Sequence, residues 1–246
     1  MKYLRLILII AVIAASLAYL KFHVSRNAQS QVSQSSTAES FPTDEASSLW
    51  VVVNKGRILP AGYVPANLVT PSAAVASNTT IDEPMLRADT AKAMEVMFAA
   101  AAKDNISLMI TSGYRSYNTQ TTVYNYYVNS DGQAAADTVS ARPGHSEHQT
   151  GLAADIEPAS SNCELQICFD ATPEGKWLAA NSYKYGFVIR YQKDKEDLTG
   201  YSYEPWHVRY VGTDLALKLT RANQTLEQYF NLPIFTDYSA KPLALK

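Results

Sequence analysis

Two polar clusters that lie far apart in the 246-residue chain constrain its fold most, because each sets histidine beside carboxylate residues. The first cluster runs from Ser146 to Asp155 and contains His148, and the second runs from Glu204 to His207. A catalytic zinc site uses three protein ligands with nitrogen and oxygen donors and keeps one position open. His148, Asp155 and His207 supply such a set, and Glu204 remains as a base that is not a ligand. The fold is expected to bring both clusters to one cavity.

The order of predicted elements favours an α+β fold, with a small, mostly antiparallel sheet flanked by helices. Hydrophobic periodicity, a Thr172 N-cap and a Gly186 stop predict the main elements. The predicted helices are 88–104, 119–128, 172–185 and 213–230, and the predicted strands are 106–110, 151–156, 187–191 and 206–211. Helices come early and strands late, without the regular alternation of a doubly wound parallel sheet.

The second cluster lies at the beginning of a predicted strand. Glu204 precedes a proline, which favours an extended backbone at that residue. Along the strand, His207 and Arg209 share one face, and Trp206 and Val208 share the other. We expect this strand end to present Glu204 and His207 to the same cavity, with Trp206 as a packing residue beneath the site.

The N-terminus carries a basic leader with an apolar run. Lys2 and Arg5 precede the uncharged residues 6–20, and Lys21 closes the run. The run has the length of the apolar part of a signal peptide and is shorter than the roughly 20 residues that span a bilayer. Residues 1–25 are therefore predicted to be an export signal or a membrane anchor, and the only part of the protein that contacts a membrane.

The remaining chain divides at a change in composition. Residues 26–48 are rich in Ser, Gln, Asn and Thr, which predicts a disordered linker that tethers the folded part. Residues 49–246 have the size of a single domain.

A net charge of -2 and a pI near 6.1 argue against a nucleic-acid-binding protein. We expect a monomer.

The polar clusters resemble the paired signatures of a known enzyme family. The pattern S-x-H-x-x-G-x-A-x-D over 146–155, followed by E-x-W-H over 204–207, is similar to that of the VanY-like zinc D-alanyl-D-alanine carboxypeptidases. These enzymes are a branch of the LAS metallopeptidases. The turn S-G-Y-R-S over 112–116, with Gln120, looks like the substrate-binding turn of that family. The resemblance covers roughly residues 51–211.

The resemblance implies a LAS/hedgehog-like zinc peptidase fold and an activity outside the cytoplasm. The substrate would be a peptidoglycan stem peptide that ends in D-alanine, and the reaction would remove that residue. An L,D-carboxypeptidase or a D,D-dipeptidase or endopeptidase of the same family remains an alternative. A non-catalytic module that binds the cell wall, or zinc peptide hydrolysis on other peptides, would also fit parts of the pattern.

The resemblance also implies roles for individual residues. Glu204 would take a proton from water and pass it to the leaving amine. Arg115 would donate hydrogen bonds to the developing oxyanion. Gln120 and Ser146 are similar to family residues that hold the terminal carboxylate and nearby carbonyls of the substrate.

Some polar and sulfur-containing residues call for a structural interpretation. Cys163 and Cys168 are expected to form a short-loop disulfide, since the protein is predicted to be exported. His145 fills a position that the family does not fix, and we expect it to line the cleft or to be solvated. Arg190 and Arg209 are predicted to be structural.

Overall fold

The computed structural model describes residues 41–76, 84–160 and 163–246. One compact unit extends from Pro42 to Lys246. The predicted leader, residues 1–25, and most of the predicted linker lie outside the described residues. Within the described ranges no helix combines the length and hydropathy that a bilayer-spanning segment needs.

Seven α-helices and eight strands form the described part of the chain. The helices are α1 (Ala88–Lys103), α2 (Tyr117–Asp131), α3 (Gln133–Val139), α4 (Pro173–Asn181), α5 (Glu196–Thr199), α6 (Thr213–Ala222) and α7 (Leu226–Tyr229). The strands are β1 (Arg57–Ile58), β2 (Leu68–Val69), β3 (Leu86–Arg87), β4 (Leu108–Ser112), β5 (Ala153–Pro158), β6 (Phe187–Tyr191), β7 (Glu204–Tyr210) and β8 (Leu243–Ala244).

The main sheet has four strands in the order β4-β5-β7-β6, and all three ladders are antiparallel. Two-stranded ladders join β1 to β8 in parallel and β2 to β3 in antiparallel orientation. The predicted α+β class with a small, mostly antiparallel sheet is therefore confirmed. Strands β5 and β7, which carry Asp155 and His207, lie side by side at the centre of the main sheet.

Side-chain alternation gives the main sheet two different faces. On one face, Ile110, Ala154, Ile156 and Val208 are buried in the largest hydrophobic cluster. Alternate residues of β5 and β7, such as Asp155 and Arg209, point to the opposite face. The sheet therefore packs one face into the core and uses the other for buried polar groups.

Helix α1 packs on the apolar face of the sheet, and the helical periodicity predicted for its apolar residues is confirmed. Met94, Met97, Phe98 and Ala101 are buried on one side of the helix and belong to the same hydrophobic cluster as the sheet residues. Burying each large side chain of this kind stabilises the fold by about 1.5–3 kcal/mol. The sheet is thereby held as a rigid platform for the residues on its other face.

The predicted helices after residue 170 are shorter than expected. Thr172 caps α4 by accepting a hydrogen bond from the Gly175 N–H, as predicted, but α4 ends at Asn181 and a 3₁₀ turn continues to Tyr185. The closing helix is also interrupted, because Asn223 adopts a left-handed conformation with φ 50°. A capping box at Thr225 then begins the separate helix α7.

Residues 42–48, which the composition places in the linker, pack against the domain. Ala46 is buried, and its N–H donates a hydrogen bond to the Lys246 carbonyl. Arg57 donates to the carbonyl oxygen of Thr43 at 2.6 Å. The composition of this segment, mostly small polar residues, did not predict the contact, because backbone groups rather than apolar side chains make most of it.

Candidate metal centre and active-site cleft

His148 is held in a short 3₁₀ turn, Glu147–Thr150, immediately before β5. The turn begins at Ser146, whose hydroxyl accepts the His148 backbone N–H at 3.3 Å. It ends at Gly151, whose φ of 67° suits glycine, and a Cβ there would lie only 3.0 Å from Leu68. The His148 Nδ1 lies 2.7 Å from the carbonyl oxygen of Gly113. A donated Nδ1–H therefore leaves Nε2 as the ligand atom.

Asp155 and His207 are directly opposite each other on the central strands β5 and β7. Their side chains meet on the polar face, where His207 Nδ1 lies 3.1 Å from Asp155 Oδ1. The other carboxylate oxygen, Asp155 Oδ2, lies 3.3 Å from His148 Nε2. Strand register therefore places one carboxylate between two imidazoles.

The three predicted metal ligands converge at one point. The ligand atoms of His148, Asp155 and His207 all lie within 4.8 Å of one another, and all three residues are buried. Asp155 Oδ1 is buried and accepts no hydrogen bond from the described residues. Burial raises the pKa of the Asp155 carboxyl, but the two imidazoles lower it more, so that the net shift is downward. Two nitrogens and an anionic oxygen fit zinc.

Glu204 lies beside the three ligands because the β6–β7 ladder is irregular. Regular alternation would place residues 204 and 207, three apart, on opposite faces. The pairing register shifts between Ile189 and Tyr191, opposite this stretch of β7, and a shift of this kind re-aims side chains. Glu204 Oε2 consequently lies 3.6 Å from His207 Nδ1. The prediction that one strand end presents both side chains is confirmed.

The environment of Glu204 favours its protonated form in the protein chain alone. Burial raises the pKa of Glu204 to about 8, although the imidazole of His207 opposes the shift. A divalent cation at the neighbouring ligands would lower this pKa, since the ion would be the largest charge nearby. The carboxyl would then titrate nearer neutrality, where a general base is most effective.

Arg115 is held beside the metal ligands by two side chains. Its Nη1 donates to Gln120 Oε1 at 3.0 Å, and its Nη2 donates to Ser112 Oγ at 2.9 Å. The Arg115 backbone N–H also donates to the His148 carbonyl at 3.3 Å. The predicted substrate-binding turn and the first histidine turn are therefore joined through backbone and side chains.

Gln120 is buried in α2 and is fully engaged by protein groups. Its amide nitrogen donates to the Ala141 carbonyl at 2.6 Å and reaches Ser140 Oγ at 3.4 Å. Its amide oxygen accepts from Arg115. Both amide protons thus have acceptors within the protein, so the structure favours a role in holding Arg115.

All seven predicted site residues line one cavity of about 740 Å³. Apolar side chains form two of its walls. One wall comes from α2 and α3 and the other from the loop 163–168, and their apolar members are Val123, Tyr127, Val139, Leu165 and Ile167. Cys163 and Cys168 form the predicted disulfide at the base of that loop.

A buried ion network lies behind His207 and was only partly anticipated. Arg190 and Arg209 both donate to Glu147 Oε1, at 2.9 and 2.7 Å. Arg190 also makes two hydrogen bonds to the carboxylate of Glu227. Glu147 was not identified from the sequence. The sequence shows only that Glu147 is an acidic residue next to His148, and this position does not reveal that it pairs with the distant Arg190 and Arg209.

His145 differs from its prediction. The side chain is buried, and its Nδ1 lies 2.7 Å from the carbonyl oxygen of Asn54. Its ring packs edge-on against Tyr238 and does not line the cavity. The expectation of a cleft-lining or solvated histidine was wrong because the later chain segment folds back over this position.

Comparison with known proteins places these features in a family. Residues 83–213 match the family model VanY, described as D-alanyl-D-alanine carboxypeptidase. A Bacillus subtilis relative named "Putative carboxypeptidase YodJ" is 45% identical over 179 residues, which are 73% of this chain and 66% of the relative. The chain spans 39% and 53% of two enterococcal relatives named D-alanyl-D-alanine carboxypeptidase, from Enterococcus faecium and Enterococcus faecalis.

Solved structures show the same fold. The LD-carboxypeptidase LdcB is 44% identical with a TM-score of 0.71, over 76% of this chain and 87% of LdcB. A VanY D,D-pentapeptidase in complex with Zn(II) is 33% identical with a TM-score of 0.62, over 76% of this chain and 100% of that protein. VanYB in complex with D-alanine-D-alanine is 32% identical with a TM-score of 0.61, over 74% and 96%.

Proposed function

Since the chain belongs to the VanY family of D-alanyl-D-alanine carboxypeptidases, we propose that it is a zinc peptidase that removes the C-terminal D-alanine from peptidoglycan stem peptides. The observation that carries this proposal is the convergence of three buried ligand residues, His148, Asp155 and His207, in a cavity that Glu204 and Arg115 also line. A wall-binding module without activity would need neither the base nor the arginine.

His148, Asp155 and His207 would hold the zinc ion. When bound, zinc supplies an activated water and polarises the scissile carbonyl. The hydrogen bond from His148 Nδ1 to the Gly113 carbonyl orients one ligand, and the strand pairing of Asp155 with His207 orients the other two. The protein therefore places its ligands through backbone structure.

Glu204 is the general base of the proposed reaction. It lies 3.6 Å from His207, close enough to the ligand group to reach a water bound there. Its carboxylate takes a proton from the attacking water and delivers that proton to the leaving amine of D-alanine. The peptide bond breaks as the new carboxyl group forms, so that protons and atoms balance.

Arg115 stabilises the negative charge that develops on the carbonyl oxygen of the substrate. A guanidinium that is already oriented adds little reorganisation cost during the reaction. Gln120 acts by holding Arg115, because its own amide is engaged by Arg115 and by residues 140 and 141. Ser146 accepts the His148 N–H and retains a hydroxyl proton that can be donated to a carbonyl or carboxylate of the substrate.

We propose D,D-carboxypeptidase specificity, which removes one alanine from a pentapeptide ending in D-Ala-D-Ala. The family description and the VanYB complex with D-alanine-D-alanine support this choice. The second candidate is L,D-carboxypeptidase activity on the tetrapeptide. The similarity to LdcB, at 44% identity, favours that candidate.

Two synthetic stem peptides test the proposal. The full-length protein with zinc is incubated separately with the pentapeptide and with the tetrapeptide that ends in one D-alanine, and the products are identified by mass. Loss of alanine from the pentapeptide alone, abolished by a chelator and restored by zinc, is expected. Loss from the tetrapeptide would establish the L,D activity. Cleavage of neither peptide, with zinc bound, would favour an endopeptidase or a binding module.

Localisation follows from the substrate. We propose that residues 1–25 direct the protein across the membrane and that the linker lets a monomeric domain reach the wall. Cell fractionation and mass measurement of the mature N-terminus test this arrangement. A full-length membrane-bound chain would identify an anchor, and a soluble chain that lacks the leader would identify a cleaved signal.

A further inference from the structure

Glu147 occupies a position at the metal centre that the proposed reaction does not use. Its side chain is fully buried and lies on the opposite side of the His207 ring from Asp155. The His207 Nε2 is 3.8 Å from Glu147 Oε2, whereas His207 Nδ1 faces Asp155 Oδ1 at 3.1 Å. The ring therefore has a carboxylate at each nitrogen.

The two oxygens of Glu147 have different surroundings. Oε1 accepts hydrogen bonds from both Arg190 and Arg209. Oε2 is buried and has no hydrogen-bond partner among the described residues, and the same is true of His207 Nε2. A buried polar atom without a partner is costly, and the nearest way to satisfy both atoms is for one to donate to the other.

The arginine side of the network holds the Glu147 carboxylate in place. Arg190 is itself fixed by two hydrogen bonds to Glu227, at 3.0 and 2.6 Å, and Asn54 donates to the same carboxylate. Arg209 is anchored by its bonds to the carbonyl oxygens of Leu49 and Val51. Glu147 is therefore held with Oε2 facing His207 Nε2 across 3.8 Å, so that a small approach of the two side chains closes a hydrogen bond between them.

We propose that Glu147 is a positioning residue that accepts the Nε2–H of His207 and so keeps the Nδ1 lone pair for the metal. A neutral imidazole carries one N–H, and the group that accepts it decides which nitrogen binds a cation. Metal-ligating histidines commonly donate their second nitrogen to a carboxylate in this way. The inference rests on the proposed zinc site but not on the substrate or the reaction.

Glu147→Gln tests the proposal directly, because the glutamine amide keeps only one acceptor oxygen and replaces the other oxygen with an NH₂ donor. The Gln oxygen must take the two arginine hydrogen bonds, which leaves the amide NH₂ facing His207 Nε2. A donor at that edge favours the wrong tautomer. Glu227→Gln is the matched control: it also removes a buried charge that pairs with Arg190, but it does not contact His207.

Zinc affinity of the full-length protein is measured by competition with a chromophoric chelator. Glu147→Gln is expected to weaken zinc binding by about 10–100-fold, whereas Glu227→Gln keeps the wild-type affinity. Equal losses in the two variants would mean that Glu147 acts only through stability, and would overturn the proposal.

Nitrogen NMR of the imidazoles decides the matter if Glu147→Gln does not fold. In the zinc-loaded wild-type protein, His207 should show a metal-bound Nδ1 and a solvent-protected proton on Nε2. A metal-bound Nε2 would overturn the proposal. Both measurements are made without substrate, so they can be interpreted even if the protein lacks the proposed peptidase activity. Normal peptidase activity would not support the proposal if the NMR showed the other tautomer.

Discussion

The two sides of His207 differ in how their charges are balanced. On the arginine side, the cations Arg190 and Arg209 pair with Glu147 and Glu227, so that this group is neutral within the chain. On the metal side, Asp155 and Glu204 face the imidazoles of His148 and His207, and the nearby guanidinium of Arg115 opposes the upward pKa shift of Glu204.

This difference separates stabilising charges from functional ones. Buried charges persist when they are paired and hydrogen-bonded. The arginine side meets that condition with its own side chains. The metal side gathers two carboxylates and leaves Asp155 Oδ1 without a hydrogen bond from the described residues, which is the arrangement expected where a dication supplies the missing charge.

The largest effect is expected from Glu204→Gln, which alters the metal side without removing a ligand. Hydrolysis of the preferred stem peptide should fall by about 10²–10⁴-fold, because the general base is lost. The zinc content and the denaturation midpoint should stay near those of the wild-type protein. Equal peptidase rates in the two proteins would contradict the proposed mechanism.

On the arginine side, Arg190→Met should act on stability. Removing one cation leaves two carboxylates with a single buried arginine, and breaking a buried pair in this way costs about 3–5 kcal/mol. Urea denaturation of the zinc-loaded protein measures this free energy of unfolding. A second substitution, Glu227→Gln, should recover part of the loss, and purely additive effects would show that the network is not coupled.

The pH dependence of stability should change sign with zinc. In the zinc-free protein, burial raises the pKa of Glu204 from 4.5 to about 8, and contacts with Asp155 and Glu147 outweigh burial to raise that of His207 from 6.5 to about 9. The folded state then holds protons that the unfolded state has released, so stability should fall as pH rises from about 5 to 9, by about 1.4 kcal/mol per pH unit for each proton.

Zinc binding instead requires deprotonated ligands, so the stability of the zinc-loaded protein should rise with pH. Urea denaturation across this range, with and without chelator, measures both slopes. In the zinc-free protein, Glu204→Gln should remove the contribution of Glu204 to the fall of stability with pH. A zinc-free protein whose stability does not change with pH would contradict the prediction.

The smallest effect is expected at a region that belongs to neither side. Reducing the Cys163–Cys168 bond, which closes a short loop, should lower the free energy of unfolding by about 2 kcal/mol or less. The zinc content should not change, because neither sulfur belongs to the ligand group. Loss of metal on mild reduction, with the fold intact, would mean that the loop supports the centre.

Local sequence patterns predicted which helices and strands carry the site, but they predicted the boundaries of those elements less well. Helix α1 and strand β6 match the predicted segments closely, since their apolar periodicity is continuous. The closing helix was predicted as one element, and two local signals of its interruption were missed: Asn223, a residue type that tolerates the left-handed conformation, and the capping-box pattern of Thr225 and Gln228. Short packing segments such as residues 42–48 were missed, because their contacts are made by the backbone.

The site was predicted where a motif carries its chemistry and missed where the chemistry depends on distant partners. His148, Asp155, His207 and Glu204 stand in spacings that zinc peptidases share. His145 stands in the same cluster, but its burial depends on Asn54 and Tyr238, from the two ends of the domain. Residue type alone does not distinguish these outcomes.

The sequence by itself predicted the candidate donor set, the candidate base and the alternation that places His207 and Arg209 on one face of their strand. Only the tertiary structure decided that β5 and β7 are neighbours in register, that the β6–β7 irregularity brings Glu204 to the same side, and that Glu147 lies behind His207. The physical reason is that side-chain identity and spacing fix local chemistry, whereas the pairing of buried charges depends on which distant segments the fold brings into contact.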